Sequence, residues 1–279
     1  MADRAAEKAG SKPDLATIGG LVIGFGGILG GLILEGGNVR EIVAPTALLI
    51  VLGGTAGAVM VTTPMSVLKN AFQALAGVFF EKSQPPEAMI DQIVELATKA
   101  RKNGIVSLEQ DASDVADPFL RKALTLAVDG TDLQELRKMM ELAIGLDEHH
   151  AEAEAKVFEG AGGYAPTIGI IGAVMGLIQV MKDLADIEKV GHGIATAFVA
   201  TIYGVGFSNL LLLPAGSKIK ARAQISAEMK ELMLEGVVGI VEGLNPKLIR
   251  TKLEAYVQNN AVKEAKGGRP VKAARGVAG

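Results

Sequence analysis

Four apolar stretches, residues 15–34, 42–63, roughly 163–181 and 194–213, run for about twenty residues each, with no Asp, Glu, Lys, Arg or His in their apolar cores. At about 1.5 Å of rise per residue, some 20 helical residues cover the ~30 Å hydrocarbon core of a bilayer. Backbone N–H and C=O groups in that core must be satisfied within the segment, which makes each run a helix. The pattern predicts an all-α membrane protein with four transmembrane helices in a 2+2 arrangement, two hairpins separated by a long charged insert. An ion site at bilayer depth normally shows an ionisable side chain in a span. None is present here, so ion movement through this chain requires a carboxylate supplied by a partner.

The flanking charges orient the spans. Arg4, Lys8 and Lys12 precede the first span, about ten Lys and Arg lie between residues 64 and 160, and about twelve follow residue 215. The two short connections carry only Arg40 and Lys182/Lys189, each beside acids. By the positive-inside rule both termini and the insert of this multi-pass chain are cytoplasmic. The first run is longer than a signal-peptide core, and its end, LILEGGNVRE, has no small-x-small cleavage site, so it reads as a retained span. With 0 Cys, disulfides and thiolate metal sites are excluded.

The segments expected are a cytoplasmic N-terminus (1–14), a first transmembrane hairpin (15–63), a cytoplasmic helical domain (64–160), a second transmembrane hairpin (161–214), cytoplasmic C-terminal helices (215–259) and a disordered tail (260–279). In the insert, Val67, Leu68, Phe72, Leu75, Phe79 and Phe80 form one stripe of a helix lying on the membrane surface, stopped by Pro85-Pro86. Residues 87–102 repeat apolar positions at helical spacing and end at Asn103-Gly104. Ser107 to Gln110 and Thr131 to Gln134 fit capping boxes, the second opening a helix that runs to about residue 159. Asp117-Pro118 opens another helix between them. Residues 217–243 are helical, and Asn245-Pro246 begins a further short helix.

Gly26/Gly30, Gly27/Gly31, Gly53/Gly57 and Gly172/Gly176 stand four apart on helix faces. Such faces let backbones approach closely, either within one subunit or between subunits of an oligomer. No enzyme is expected. The Gly clusters lack a P-loop's terminal Lys-Ser/Thr, and Glu148, His149 and His150 are splayed around a helix rather than spaced as metal ligands. The second hairpin holds the remaining chemistry. Pro166 removes a backbone donor near the start of the third span, Thr167 and Thr201 add hydroxyls at depth, and Pro214 closes the fourth span. Helix-end geometry for the prolines and a back-bond from Thr201 to the Ala197 carbonyl stand beside an ion pathway as readings of these residues. An ion-pathway component, a transporter with a substrate pocket and a passive scaffold all remain open at this point. The transporter is disfavoured by the lack of charged or broken half-helices.

The 2+2 layout, APTIGIIGAVMGL, ATIYGVGFSNLLLLPAGSKIK and the cytoplasmic ARKNGIVSLEQD together resemble the flagellar motor stator A subunit, the MotA/PomA family of the MotA/TolQ/ExbB proton channel superfamily. The resemblance covers nearly the whole chain except the first dozen and last twenty residues. It implies an ion-conducting stator subunit that couples proton flow, through a complex with a MotB/PomB-type B subunit carrying the ion-binding Asp, to torque on the rotor protein FliG. A sodium-driven stator, or an ExbB/TolQ-like energising subunit of another envelope machine, is the alternative. ExbB and TolQ types have three spans and an external N-terminus, so the leading hairpin argues against them.

By the same resemblance Pro166 and Pro214 are the motor prolines that link ion passage to the cytoplasmic part. Arg101 and Glu109 are the charged pair that meets FliG, and Asp147 or Glu148 is a further rotor-contact acid. Sodium-type members carry a Thr seven residues after the third-span proline. Here that position is Ala173, whose methyl cannot replace water around sodium, so protons are expected, while Thr201 keeps sodium as the alternative. No cofactor and no nucleic acid are expected. Self-association into a ring, a pentamer by the family, within membrane lipid completes the picture.

Overall fold

The computed structural model describes residues 12–81, 85–182 and 184–267. Most of the described chain is helical, and it divides into two compact units, residues 1–82 with 149–223 and residues 83–148 with 224–279. Among the described residues four helices are long and apolar enough to cross a membrane, Leu15–Leu34, Pro45–Thr62, Leu133–Lys182 and Ile187–Val241.

The first unit contains helices α1 (Leu15–Leu34), α2 (Pro45–Thr62) and α3 (Met65–Phe79). Asp14 caps α1 by accepting from the Thr17 amide at 3.0 Å, and the turn after α1 uses Gly36 at φ 86°. Pro45 starts α2, where its missing N–H costs nothing. No residue of α1 is buried, and apolar side chains such as Val22, Ile23 and Ile28 are exposed along it. Such a surface suits lipid or a neighbouring helix, not water. A two-residue antiparallel ladder pairs Lys12–Pro13 with Phe80–Glu81.

The stripe foreseen on α3 divides. Val67, Leu68, Leu75 and Phe79 pack against the buried residues Ala71, Val78, Val59, Ala155, Phe158 and Ile219, whereas Phe72 is 63 % exposed. The helix therefore buries one flank against protein and leaves Phe72 outside it.

In the second unit, α4 (Pro86–Asn103), α5 (Glu109–Asp114), α6 (Pro118–Val128), the start of α7 (Leu133–Lys182), the end of α9 (Leu213–Val241) and α10 (Pro246–Gly267) surround one core. Ile93, Leu120, Leu124, Met140, Val237 and Leu253 are at its centre. Gly236 and Gly239 let α9 approach Ile93 and Ile249, where a methyl would fall 2.7 and 3.1 Å from their side chains. Arg137 and Lys252 both pair with Glu235 at 2.6 Å.

Several caps differ from the sequence expectation. Ser107 does not open a capping box: it lies in a 3-10 turn, Ile105–Leu108, and donates to the Gly104 carbonyl. At the start of α7 the capping side chain is Asp132, not Thr131, with Oδ1 accepting from the Gln134 amide at 2.9 Å. Asp117 and Asn245 cap α6 and α10 as their Asx-Pro dipeptides suggest.

Three boundaries also move. The helix opened near residue 132 does not stop at 159 but continues through Pro166 to Lys182. The fourth span, α8 (Ile187–Phe207), does not close at Pro214 and passes through a π-helical turn, Ser208–Leu212, directly into α9. The last helix reaches Gly267, beyond the residue-260 boundary drawn for the tail, and residues 268–279 lie outside the described chain.

Candidate functional site

Two prolines sit within helical segments of the first unit, and the local structure follows from what each removes. A proline at position i deprives the carbonyl of residue i−4 of its donor. For Pro166 that carbonyl belongs to Gly162, and it is occupied by the Ser208 hydroxyl of the neighbouring helix at 2.6 Å. Ser208 is 2 % exposed, so this bond satisfies two groups that water barely reaches. For Pro214 the deprived carbonyl is that of Leu210, inside the π-helical turn. There the Leu213 amide donates five residues back to Ser208, the wider repeat that accommodates a missing donor. A helix thus survives both prolines, for two different local reasons.

Around Pro166 the α7–α8 contact is backbone against backbone. A Cβ on Gly204 would fall 2.6 Å from the Ala165 carbonyl oxygen and 3.2 Å from the Pro166 Cα. Gly169 meets the Ala200 carbonyl and Gly204, Gly172 meets Ala200, and Gly176 meets Gly193 and Ala197. The Gly172/Gly176 pair is therefore packing within one subunit. By contrast, nothing lies within 4 Å of a Cβ built on Gly26, Gly27, Gly30, Gly31, Gly53 or Gly57, so these glycines serve no close approach within the chain. Tyr203 ties α8 to the entry of α2, donating to the Ile42 carbonyl at 2.6 Å and accepting from the Ala44 amide at 3.2 Å.

Thr201 lies beside this glycine-lined contact, half-buried, with its hydroxyl 3.4 Å from the Ala197 carbonyl, a long back-bond to the oxygen named from sequence. Thr167 donates to Tyr164 at 2.8 Å. Ala173 is half-buried two helical turns beyond Pro166 and brings only a methyl. Pro166 is half-buried and Pro214 exposed. The donors and acceptors at this joint are hydroxyls and carbonyls, which can relay or orient a proton carrier but cannot hold a proton at neutral pH.

A second polar focus, missed from sequence, lies at the mouth of the first span. Asp14, 7 % exposed, pairs with Lys218 and Arg222 at 2.7 Å each, while Arg222 also donates to the Gly77 carbonyl. The Lys218 ammonium, then the Thr17 amide and the Arg222 guanidinium, hold the Asp14 carboxyl well below the usual carboxylate range. An Asp immediately before an apolar run is itself a cap signal, but nothing local reveals cations two hundred residues away.

In the second unit, Arg101 occupies the exposed last turn of α4, ahead of Gly104 at φ 84°. It lines a 410 Å³ cleft together with Ala97, Ile105, Ala127, Thr131 and Leu244. Glu109 begins α5 and is exposed. Neither makes an ion pair among the described residues, and the structure forms no bond between them. Asp147 is engaged by Lys230 at 2.6 Å, whereas Glu148 beside it is exposed without an ion pair among the described residues.

The chain is similar in sequence and in fold to known proteins. The profile of the MotA/TolQ/ExbB proton channel family matches residues 111–232, and that of the motility protein A N-terminal region matches residues 18–104. Motility protein A of Bacillus subtilis (strain 168) is 34 % identical over 245 residues, covering 88 % of this chain and 91 % of the relative. Motility protein A of Helicobacter pylori (strain ATCC 700392 / 26695) is 36 % identical over 244 residues, covering 88 % and 95 %. The chemotaxis protein PomA of Vibrio alginolyticus is 33 % identical over 245 residues, again covering 88 % and 95 %. Among solved structures, the C. jejuni MotAB structure superposes with a TM-score of 0.83 at 33 % identity, over 87 % of this chain and 95 % of the other. The flagellar MotAB stator complex from Bacillus subtilis also gives 0.83 at 33 %, over 90 % and 100 %. The chain belongs to the MotA/PomA family of flagellar motor stator subunits, membrane proteins within the wider MotA/TolQ/ExbB proton channel family.

Proposed function

We propose that this chain is the A subunit of a proton-driven stator, in which a MotB-type B subunit supplies the titrating carboxylate and the second hairpin turns its protonation into motion. The observation that carries this is the joint at Pro166: a helix of 50 residues interrupted in its hydrogen bonding at one point, beside spans that contain no charge of their own. Protonating a buried carboxylate removes a charge and changes the best packing around it, which gives two states a physical cause. Pro166, Thr201 and Pro214 then line the joint that responds, and Ala173 offers no oxygen to a sodium ion, so protons are favoured over sodium. The leading hairpin falls within the motility protein A N-terminal match, which supports a motor role over an ExbB/TolQ-like energising subunit.

The remaining parts of the reading have separate supports. The open glycine faces of α1 and α2 and the wholly unburied α1 favour self-association into a ring within membrane lipid. Arg101, Glu109 and Glu148, exposed and without ion pairs among the described residues, suit contact with oppositely charged groups on a rotor protein of the FliG type. Both termini and the helical insert are assigned to the cytoplasm by their basic flanks. The test is ion flux in proteoliposomes. The chain alone should conduct nothing, co-assembly with a B subunit should give proton flux insensitive to sodium removal, and Asp→Asn in the B-subunit span should abolish it. Flux through the chain alone, or flux that needs sodium, would overturn the reading.

A further inference from the structure

We infer that Ser208 is a positioning residue that pins the two proline joints into a single mechanical unit, an inference that builds on the stator reading above. Three observations converge on this side chain. Its hydroxyl donates to the carbonyl of Gly162, the acceptor that Pro166 leaves without a helical donor. Its own carbonyl accepts from the Leu213 amide, the wide bond of the turn that precedes Pro214. Its amide donates to the Gly204 and Val205 carbonyls, and Gly204 is the residue against which the Pro166 backbone rests. One residue therefore touches the consequences of both prolines.

The choice of partner is informative. A serine in a helix ordinarily bonds back to a carbonyl of its own preceding turn. Ser208 instead reaches across to α7, where the acceptor belongs to a buried residue and has lost its usual helical donor to Pro166. A bend or twist of α7 at Pro166 moves the Gly162 carbonyl relative to α8. The hydroxyl then either follows, carrying the π-helical turn with it, or releases the carbonyl to another donor. In the first case the turn ahead of Pro214 and the joint at Pro166 change together; in the second they change separately. The short bond and the close Gly204 contact place the described state in the coupled arrangement.

The test is a double-mutant cycle, followed by a motor assay. Pro166→Ala returns an amide donor to the Gly162 carbonyl, so the hydroxyl becomes redundant there. In the complex with the B subunit in detergent, Ser208→Ala should raise the unfolding equilibrium constant about tenfold with Pro166 present, and less than about twofold in the Pro166→Ala background. An equal loss in both backgrounds would overturn the inference. In cells, Ser208→Ala should assemble at normal levels yet rotate several-fold more slowly at low load with proton flux retained, and Ser208→Thr should restore rotation by returning the hydroxyl. Normal rotation of Ser208→Ala would equally overturn it. If the unmutated complex conducts no protons, the stator reading fails by itself, and the cycle still decides whether Ser208 pins the joint.

Discussion

Removing the Asp14 charge tests how the first span is anchored. Asp14→Asn keeps a side-chain oxygen at the helix cap, because Asn caps as well as Asp. It deletes the attraction to Lys218 and Arg222, whose side chains remain a third and a quarter exposed, at 33 % and 25 %. An exposed pair is worth roughly 0.2–1 kcal/mol and breaking a deeply buried one costs roughly 3–5 kcal/mol. The carboxylate is covered by its two cations rather than by deep packing. With both cations still able to reach water, the cost should fall between these limits, at about 2 kcal/mol. Asp14→Ala should cost about 1 kcal/mol more, through the lost cap to Thr17.

Equilibrium unfolding in mixed detergent micelles reads both values, and a cycle of Asp14→Asn with Lys218→Gln reads their coupling, expected near 1 kcal/mol. The pH dependence follows from the direction of the Asp14 shift. A carboxyl held below its ordinary value contributes stability above that ordinary value and loses it only as pH falls through the depressed one. The deficit of Asp14→Asn should therefore be constant from about pH 5 to 8 and shrink only below about pH 4. A cycle that closes to within about 0.3 kcal/mol, or a deficit that vanishes near neutrality, would refute the clamp.

Gly204→Ala should be among the most disruptive single-methyl changes in the chain, costing about 1–3 kcal/mol or more, because the added carbon meets backbone that cannot swing aside. Gly26→Ala, with open space, should leave monomer unfolding within about 0.5 kcal/mol, and any defect should appear as loss of the ring on size exclusion. Pro166→Leu restores an amide that competes with Ser208 for the Gly162 carbonyl, so stators should localise around the rotor but give little rotation in tethered cells. Arg101→Glu should reduce swimming in a graded way while leaving membrane levels unchanged, with partial rescue by a reversed charge on the rotor. Normal motility of the Arg101→Glu, Glu109→Lys double variant would leave both as solvated charges.

The spans were legible because a bilayer imposes length and composition directly on sequence, and α1 begins and ends where its apolar run does. Helix ends written in local chemistry were legible too, as at Asp117-Pro118 and Asn103-Gly104. Ser107 and Thr131 misled because a capping motif competes with neighbours: Asp132, one residue on, is as good an acceptor as Thr131 and takes the amides. Of the candidate site, the prolines could be named but not their partners, whereas the Ala197 carbonyl beside Thr201 could, being one turn away. Ser208 lies 46 residues from Gly162 and Asp14 208 residues from Arg222, and no periodicity connects positions so distant.

Helix-end geometry was one of two readings of Pro166 and Pro214, and both prolines are carried through continuous helical structure. The reason bears on mechanism. A proline that ends a helix leaves a loop, which absorbs motion. A proline inside a helix leaves one weak point between stiff segments, and motion at that point is transmitted along them. Here the weak point on α7 is closed by one hydroxyl from α8 and bordered by glycines that hold the two backbones in contact. The Ser208–Gly162 bond thus stands at the turn that Pro166 disrupts. On the proposed reading, a packing change at a partner's protonated carboxylate would act through this bond, and the outcome of Ser208→Ala beside Pro166→Ala measures how tightly it couples the two helices.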